Sequence, residues 1–200
     1  MKRSYFLLFT VCSLLFSVFL WGCGSGGSNS TFCAKGAEDV GVDICVTVTP
    51  KDSSNVKAFV TDCNNSGTID SEELLKDHLA TVSIVSKRIN TTSTFDPYPV
   101  TIKGFTITYI PDRIDSPGIR EFTPLGPQSI ILFSDGTVTQ DVDLVDIERK
   151  DEFAQDINSG RFNSNLPQRY TAVYKFFGEK LGNQFESEGW TTFTIGAFCE

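Results

Sequence analysis

The sequence predicts a mainly β protein that folds as an antiparallel β-sandwich. Short segments in which apolar and polar residues alternate recur along the chain, and turn-forming Gly, Pro, Asn and Asp residues separate them. The chain has 17 Phe residues and a single Met, a composition that suits sheets packed face to face. We therefore expect about seven short strands in one domain, with two short helices between them.

The first predicted strands lie on either side of a turn that contains Pro50 and several polar residues. Residues 44–49 and 56–61 both alternate, and we expect them to be neighbouring antiparallel strands. A helix is the alternative for the second segment, because Val56, Phe59 and Val60 also have i, i+3, i+4 spacing.

Two longer strands are predicted in the middle of the chain. Apolar residues occupy every second position from 80 to 84. Between residues 100 and 111 the alternation changes phase at Gly104, which predicts a β-bulge there. Four prolines from Pro111 to Pro127 then predict a long irregular connection between two sheets.

The C-terminal half is predicted to contain four more strands and a helix. Ser134, Asp135 and Gly136 are expected to turn one strand back into the next. Asp135, Asp141 and Asp143 are better explained by a solvated sheet face than by a second calcium site. The predicted elements are strands at 130–133 and 137–145, a helix at 147–158, and strands at 170–176 and 190–198.

The N-terminus has the layout of an export signal. Lys2 and Arg3 give it a basic start, and residues 6–21 form an almost unbroken apolar run. This run is shorter than the ~20 residues that a membrane-spanning helix needs. We therefore expect residues 1–22 to be a signal peptide.

A four-residue motif at the end of this run resembles the lipobox of bacterial lipoproteins: Leu20, Trp21, Gly22 and Cys23. The resemblance implies lipidation of Cys23 with palmitate-like chains and anchoring in the outer membrane or at the cell surface. Each buried methylene contributes about 0.8 kcal/mol to such an anchor. Residues 23–32 would then be a flexible tether and 33–200 one folded domain. A plain secretory signal or an uncleaved anchor is the alternative.

The charge of the chain excludes some partners. It has 17 Lys and Arg against 25 Asp and Glu, a formal net charge of -8, and loses two cations with the signal. Nucleic acid and a basic lipid-binding patch are therefore not expected. We expect contact with the membrane through the N-terminal lipid, and an envelope protein or a glycan as partner.

Four cysteines follow the tether: Cys33, Cys45, Cys63 and Cys199. Export would place them in an oxidising compartment, where disulfides form, and four cysteines permit three pairings. If residues 44–49 and 56–61 are neighbouring strands, Cys45 lies near Cys63, which leaves Cys33 for Cys199. No C-x-x-C motif supports a zinc or thioredoxin-type site.

Residues 62–73 read DCNNSGTIDSEE and resemble an EF-hand calcium loop. Gly67 holds the position at which the chain must bend sharply. The resemblance implies one Ca²⁺ and a helix from 71 to about 79, whereas a strand replaces the usual preceding helix. The alternative is a polar surface turn before a capped helix. The implied ligands are the side chains of Asp62, Asn64 and Ser66, the backbone carbonyl of Thr68, Asp70 directly or through water, and both oxygens of Glu73.

The order of strands and turns in the C-terminal tail is similar to the final hairpin of immunoglobulin-like and fibronectin-like domains, and to small uncharacterised bacterial lipoproteins. His78 is the only histidine, and we expect it at the surface near the end of the predicted helix. No nucleophile motif accompanies it, so we expect a non-enzymatic structural or adhesive module. A calcium-containing carbohydrate-binding module, with Tyr98, Tyr109 or Trp190 stacking on sugar, is one alternative. A hydrolase of unknown class is the other.

Overall fold

The computed structural model describes residues 32–33, 41–68, 74–90, 92, 94–124, 129–162 and 165–199. Within these ranges the chain forms nine strands and one helix. In chain order they are β1 Phe32–Cys33, β2 Val42–Pro50, β3 Asn55–Lys57, β4 His78–Arg88, β5 Val100–Pro111, β6 Ile130–Leu132, β7 Gly136–Val145, α1 Ile147–Asn158, β8 Gln168–Lys180 and β9 Asn183–Gly196.

The strands form two sheets, so the prediction of a mainly β, sandwich-like fold is confirmed. The four-stranded sheet has the order β1-β2-β4-β7, and the five-stranded sheet has the order β3-β9-β8-β5-β6. Neighbouring strands are antiparallel in both sheets except for β3, which runs parallel to β9.

Alternate side chains from both sheets fill one core. On β2 the four inward residues from Val42 to Val48 have no exposed surface. Tyr170, Tyr174 and Phe176 on β8 are equally buried, and Phe193 on β9 is 1% exposed. Two tyrosine hydroxyls tie the sheets together. Those of Tyr109 and Tyr174 donate to the carbonyl oxygens of Leu144 and Asp143 on β7, at 2.7 and 2.9 Å. Buried hydroxyls need such partners.

The burial of three tyrosines predicts that the fold is sensitive to alkali. Burial raises the pKa of Tyr109, Tyr170 and Tyr174 above the ordinary value. In the unfolded chain they ionise near pH 10, so stability should be unaffected below that pH and fall above it. The expected fall is about 1.4 kcal/mol per pH unit for each tyrosine.

Ultraviolet absorbance and circular dichroism, recorded together during alkaline titration, test this expectation. Most tyrosinate absorbance should appear as the β-sheet signal is lost. Complete ionisation of the tyrosines in a protein that keeps its β-sheet spectrum would contradict the burial.

Several predicted elements are confirmed. The alternating residues 80–84 lie within β4, and the register of β5 against β8 shifts between Ile102 and Gly104, as the change of phase predicts. A Cβ atom at Gly104 would lie 3.1 Å from the ring of Phe177, so glycine fits the bulge. The predicted helix at 147–158 is α1, capped by the Asp146 carboxylate, which accepts from the Arg149 backbone N–H at 3.0 Å.

The predicted hairpin around Ser134 is wrong. β6 belongs to the five-stranded sheet and β7 to the four-stranded sheet, so residues 134–136 carry the chain from one sheet to the other. Contacts with the end of β4 hold this crossing in place. The Ser86 hydroxyl donates to the Ser134 carbonyl oxygen, and the Asp135 carboxylate accepts from the Arg88 backbone N–H.

The predicted strand at 56–61 is also wrong in length and partner. Only Asn55–Lys57 is a strand, and it pairs with β9 instead of β2. Its register places Val56 opposite Ile195 at the end of the last strand. The chain therefore leaves β3 towards the C-terminus of the domain, which determines the surroundings of the predicted calcium loop.

Candidate functional site

The first part of the predicted calcium loop, residues 62–68, is a tight turn around the carboxylate of Asp62. Its two oxygens accept from the backbone N–H groups of Ser66 at 3.1 Å and Gly67 at 2.7 Å. The side-chain oxygen of Asn64 also accepts from Ser66, at 2.8 Å. Asn65 and Gly67 have φ values of 55° and 80°, which turn the chain back on itself.

The oxygens of this turn retain capacity for a cation. A carboxylate has about four acceptor positions, of which the Asp62 carboxylate uses two here. The Ser66 hydroxyl donates to the Thr68 carbonyl oxygen at 2.8 Å, which leaves that carbonyl its second lone pair. Residues 64–68 are exposed, so an ion would reach these oxygens directly from solvent.

The remaining predicted ligands, Asp70 and Glu73, lie outside the described residues. In the part of the chain that the structure describes, no three His, Cys, Asp or Glu side chains are grouped as a metal site would require. Asp62 is the one acidic ligand of the predicted set within that part. The calcium site therefore stays a prediction.

A disulfide holds the start of this loop, but it is not the disulfide that the sequence predicts. Cys63 is bonded to Cys199, with their Cα atoms 5.5 Å apart, so the predicted bonds from Cys45 to Cys63 and from Cys33 to Cys199 do not form. The prediction assumed that the segment before the loop pairs with β2. Because β3 instead runs beside β9, Cys63 arrives next to the chain end. Cys45 is also disulfide-bonded, and Cys33 lies opposite it in the ladder.

The helix predicted from 71 to about 79 is wrong for the residues described. Residues 74–77 are irregular, and β4 begins at His78. Pairing with both β2 and β7 outweighs the helical preference of so short a segment. His78, which we expected at the surface, is 7% exposed, and its Nε2 lies 2.7 Å from the Ser53 carbonyl oxygen.

Two of the three aspartates considered for a second calcium site have separate side-chain partners. Asp135 accepts from the Tyr98 hydroxyl at 2.7 Å, and this bond helps to hold the pKa of the Asp135 carboxyl below its ordinary value. Asp141 accepts from Lys51 at 2.7 Å and from Thr81 at 2.9 Å. Burial raises the pKa of the Asp143 carboxyl above its ordinary value.

Two of the three aromatic residues considered for sugar stacking belong to the core. Tyr98 is 8% exposed and Tyr109 is 6% exposed, whereas Trp190 on β9 is partly exposed. The Tyr98 hydroxyl donates a hydrogen bond to the Asp135 carboxylate, and the Tyr109 hydroxyl donates one to the Leu144 carbonyl oxygen. Neither ring is free to stack on a sugar.

The predicted signal peptide, the lipidation site Cys23 and most of the predicted tether lie outside the described residues. Among the residues that are described, no helix has the length and apolar character to cross a membrane.

A polar cavity of about 650 Å³ lies between β3, the start of β4 and the Cys63–Cys199 disulfide. Its wall includes Lys57, His78 and Lys150, which are 5%, 7% and 2% exposed. No sequence pattern predicts this cavity. The available signal is a lysine inside an apolar run, between Val56 and Ala58.

Comparison with known proteins does not assign the chain to a family: no protein-family model matches it, and no curated protein matches it either.

Proposed function

We propose that this chain is an exported, lipid-anchored structural or adhesive module of the cell envelope, stabilised by one calcium ion and by disulfides. The observation that carries the proposal is the turn at 62–68, where oxygens of Asp62, Asn64 and Ser66 are collected around Gly67. Hard cations such as Ca²⁺ prefer oxygen ligands of these types. Asp70 and Glu73 would complete the cage from the second half of the loop.

The position of the loop gives such an ion a structural role. The loop leaves the five-stranded sheet after β3 and leads to β4 in the four-stranded sheet. An ion bound by both halves of the loop would therefore fasten the connection between the two sheets, close to the Cys63–Cys199 bond. Disulfides persist in extracellular and periplasmic compartments, which supports export.

We further propose that the strands have an immunoglobulin-like or fibronectin-like arrangement and that the protein is not an enzyme. His78, the only histidine in the sequence, is buried against the Ser53 carbonyl oxygen, a position that suits a core side chain better than an exposed general base. Burial of Tyr98 and Tyr109 favours the structural module over the carbohydrate-binding module.

Thermal unfolding with and without calcium tests the metal site. Excess calcium is expected to raise the melting temperature of the wild type, because a ligand that binds only the native state stabilises it. Glu73→Ala removes two ligand oxygens and should abolish most of this rise while the protein still folds. Glu188→Ala, an exposed glutamate on β9, is the matched control and should respond to calcium like the wild type. An unchanged wild-type melting temperature in excess calcium would refute the site.

Mass spectrometry of the processed N-terminus tests the anchor. The expected product begins at Cys23 and carries the mass of a diacylglyceryl group with a further acyl chain. Cys23→Ala should leave the precursor without lipid and release the protein from the membrane fraction. A processed wild-type chain with an unmodified Cys23 would remove the anchor from the proposal.

A further inference from the structure

Lys57 is in an unusual position for a lysine. It lies in β3 between Val56 and Ala58, it is 5% exposed, and it lines the polar cavity beside the Cys63–Cys199 disulfide. Within the described part of the chain, no hydrogen bond or ion pair involves its ammonium group. Lysines are almost never this deeply buried unless they are paired, because a buried ammonium group loses its hydration.

The surroundings of Lys57 add positive charge. Lys76 and Lys150 line the same cavity, and the Lys150 ammonium group donates to the Lys76 carbonyl oxygen. Two aspartates, Asp52 and Asp77, are also in the wall, but neither forms an ion pair with Lys57. Asp77 accepts from the backbone N–H of Ile147 at 2.9 Å. Three lysines therefore surround one cavity in a chain whose net charge is -8.

We propose that this cavity is a binding site for a small oxyanion, a carboxylate or a phosphate group, with Lys57 as its main donor. The three N–H bonds of the Lys57 ammonium group supply charge-assisted hydrogen bonds to the anion, and Lys76 and Lys150 strengthen its field. A volume of about 650 Å³ lies within the usual range for small-molecule sites. The site is separate from the oxygens of the 62–68 turn and does not depend on calcium.

Nuclear magnetic resonance titration of the full chain in detergent tests the site. The probes are inorganic phosphate and, separately, acetate, in buffer freed of divalent metals, with chloride at matched ionic strength as the reference. Saturable shifts are expected for the backbone amides of Lys57, Lys76 and His78, and chloride should not produce them. Tighter binding of phosphate than of acetate would indicate a phosphate ligand, and equal or tighter binding of acetate a carboxylate ligand.

Two lysine variants provide the comparison. Lys57→Met removes the ammonium group but keeps an apolar chain of similar length, and it should weaken binding about tenfold or more. Lys87→Met, at an exposed position of β4, should bind like the wild type. The proposal is overturned if the wild type gives no saturable shifts, if the shifts lie away from the cavity, or if Lys57→Met binds as tightly as the wild type. The wild-type titration decides the matter even if Lys57→Met fails to fold.

Discussion

Replacing Cys63 and Cys199 by alanine is expected to lower the free energy of unfolding by about 5 kcal/mol. The two cysteines are separated by 136 positions in the sequence. On the chain-entropy model, a bond that closes so long a loop lowers the conformational entropy of the unfolded chain. This stabilises the native state by about 5 kcal/mol. Chemical denaturation of the oxidised wild type and of the double variant measures the difference directly.

Full reduction provides the control for this comparison. In excess reductant neither protein retains any disulfide, so the wild type and the double variant should unfold at nearly the same denaturant concentration. Equal stability of the two proteins under oxidising conditions would show that the Cys63–Cys199 bond does not constrain the unfolded chain as proposed.

Phe153→Ala is expected to lower the free energy of unfolding by about 3–5 kcal/mol, the usual cost of removing a buried phenyl ring. Phe153 packs α1 against the sheets, and its side chain is 1% exposed. Its ring meets those of Phe59 and Tyr170 edge to face, with both pairs of centroids 6.2 Å apart. The substitution therefore leaves a cavity between the helix and β8, and urea unfolding measures its cost.

Phe133→Ala is the matched control, because Phe133 is 73% exposed. The same substitution there should change stability by less than about 0.5 kcal/mol. If Phe153→Ala were no more destabilising than Phe133→Ala, the helix would not be docked through Phe153.

The strands that could be predicted from sequence are those with a local signal. Alternation identifies the buried face of β4, and the change of phase at Gly104 locates the bulge in β5. The predicted bounds of the helix, 147–158, are those of α1, and the structure shows that Asp146 caps its start and that Gly160 follows its end. These features depend only on neighbouring residues.

Strand partners could not be predicted, because pairing depends on residues far apart in the sequence. The segment after Ser54 has the pattern of a neighbour of β2, yet it pairs with β9, about 140 residues later. That single difference changes the disulfide of Cys63. Pairing of β4 with β2 and β7 likewise places His78 at the start of a strand instead of the end of a helix.

The candidate site could be predicted only in part for the same reason. The spacing of Asp62, Asn64 and Gly67 is local, and the turn at 62–68 follows it. The cavity around Lys57 is not local, because β3, β4, α1 and the chain end each contribute to its wall. A lone lysine in an apolar run indicates an unusual position but does not identify what surrounds it.

A crystal structure of the protein grown in calcium would show directly whether residues 62–73 bind the ion. We expect one ion, about 2.3–2.6 Å from carboxylate oxygens of both Asp62 and Glu73, with oxygens of Asn64 and Ser66 in the same coordination shell. A loop without an ion, in which the carboxylates of Asp62 and Glu73 point away from each other, would contradict it.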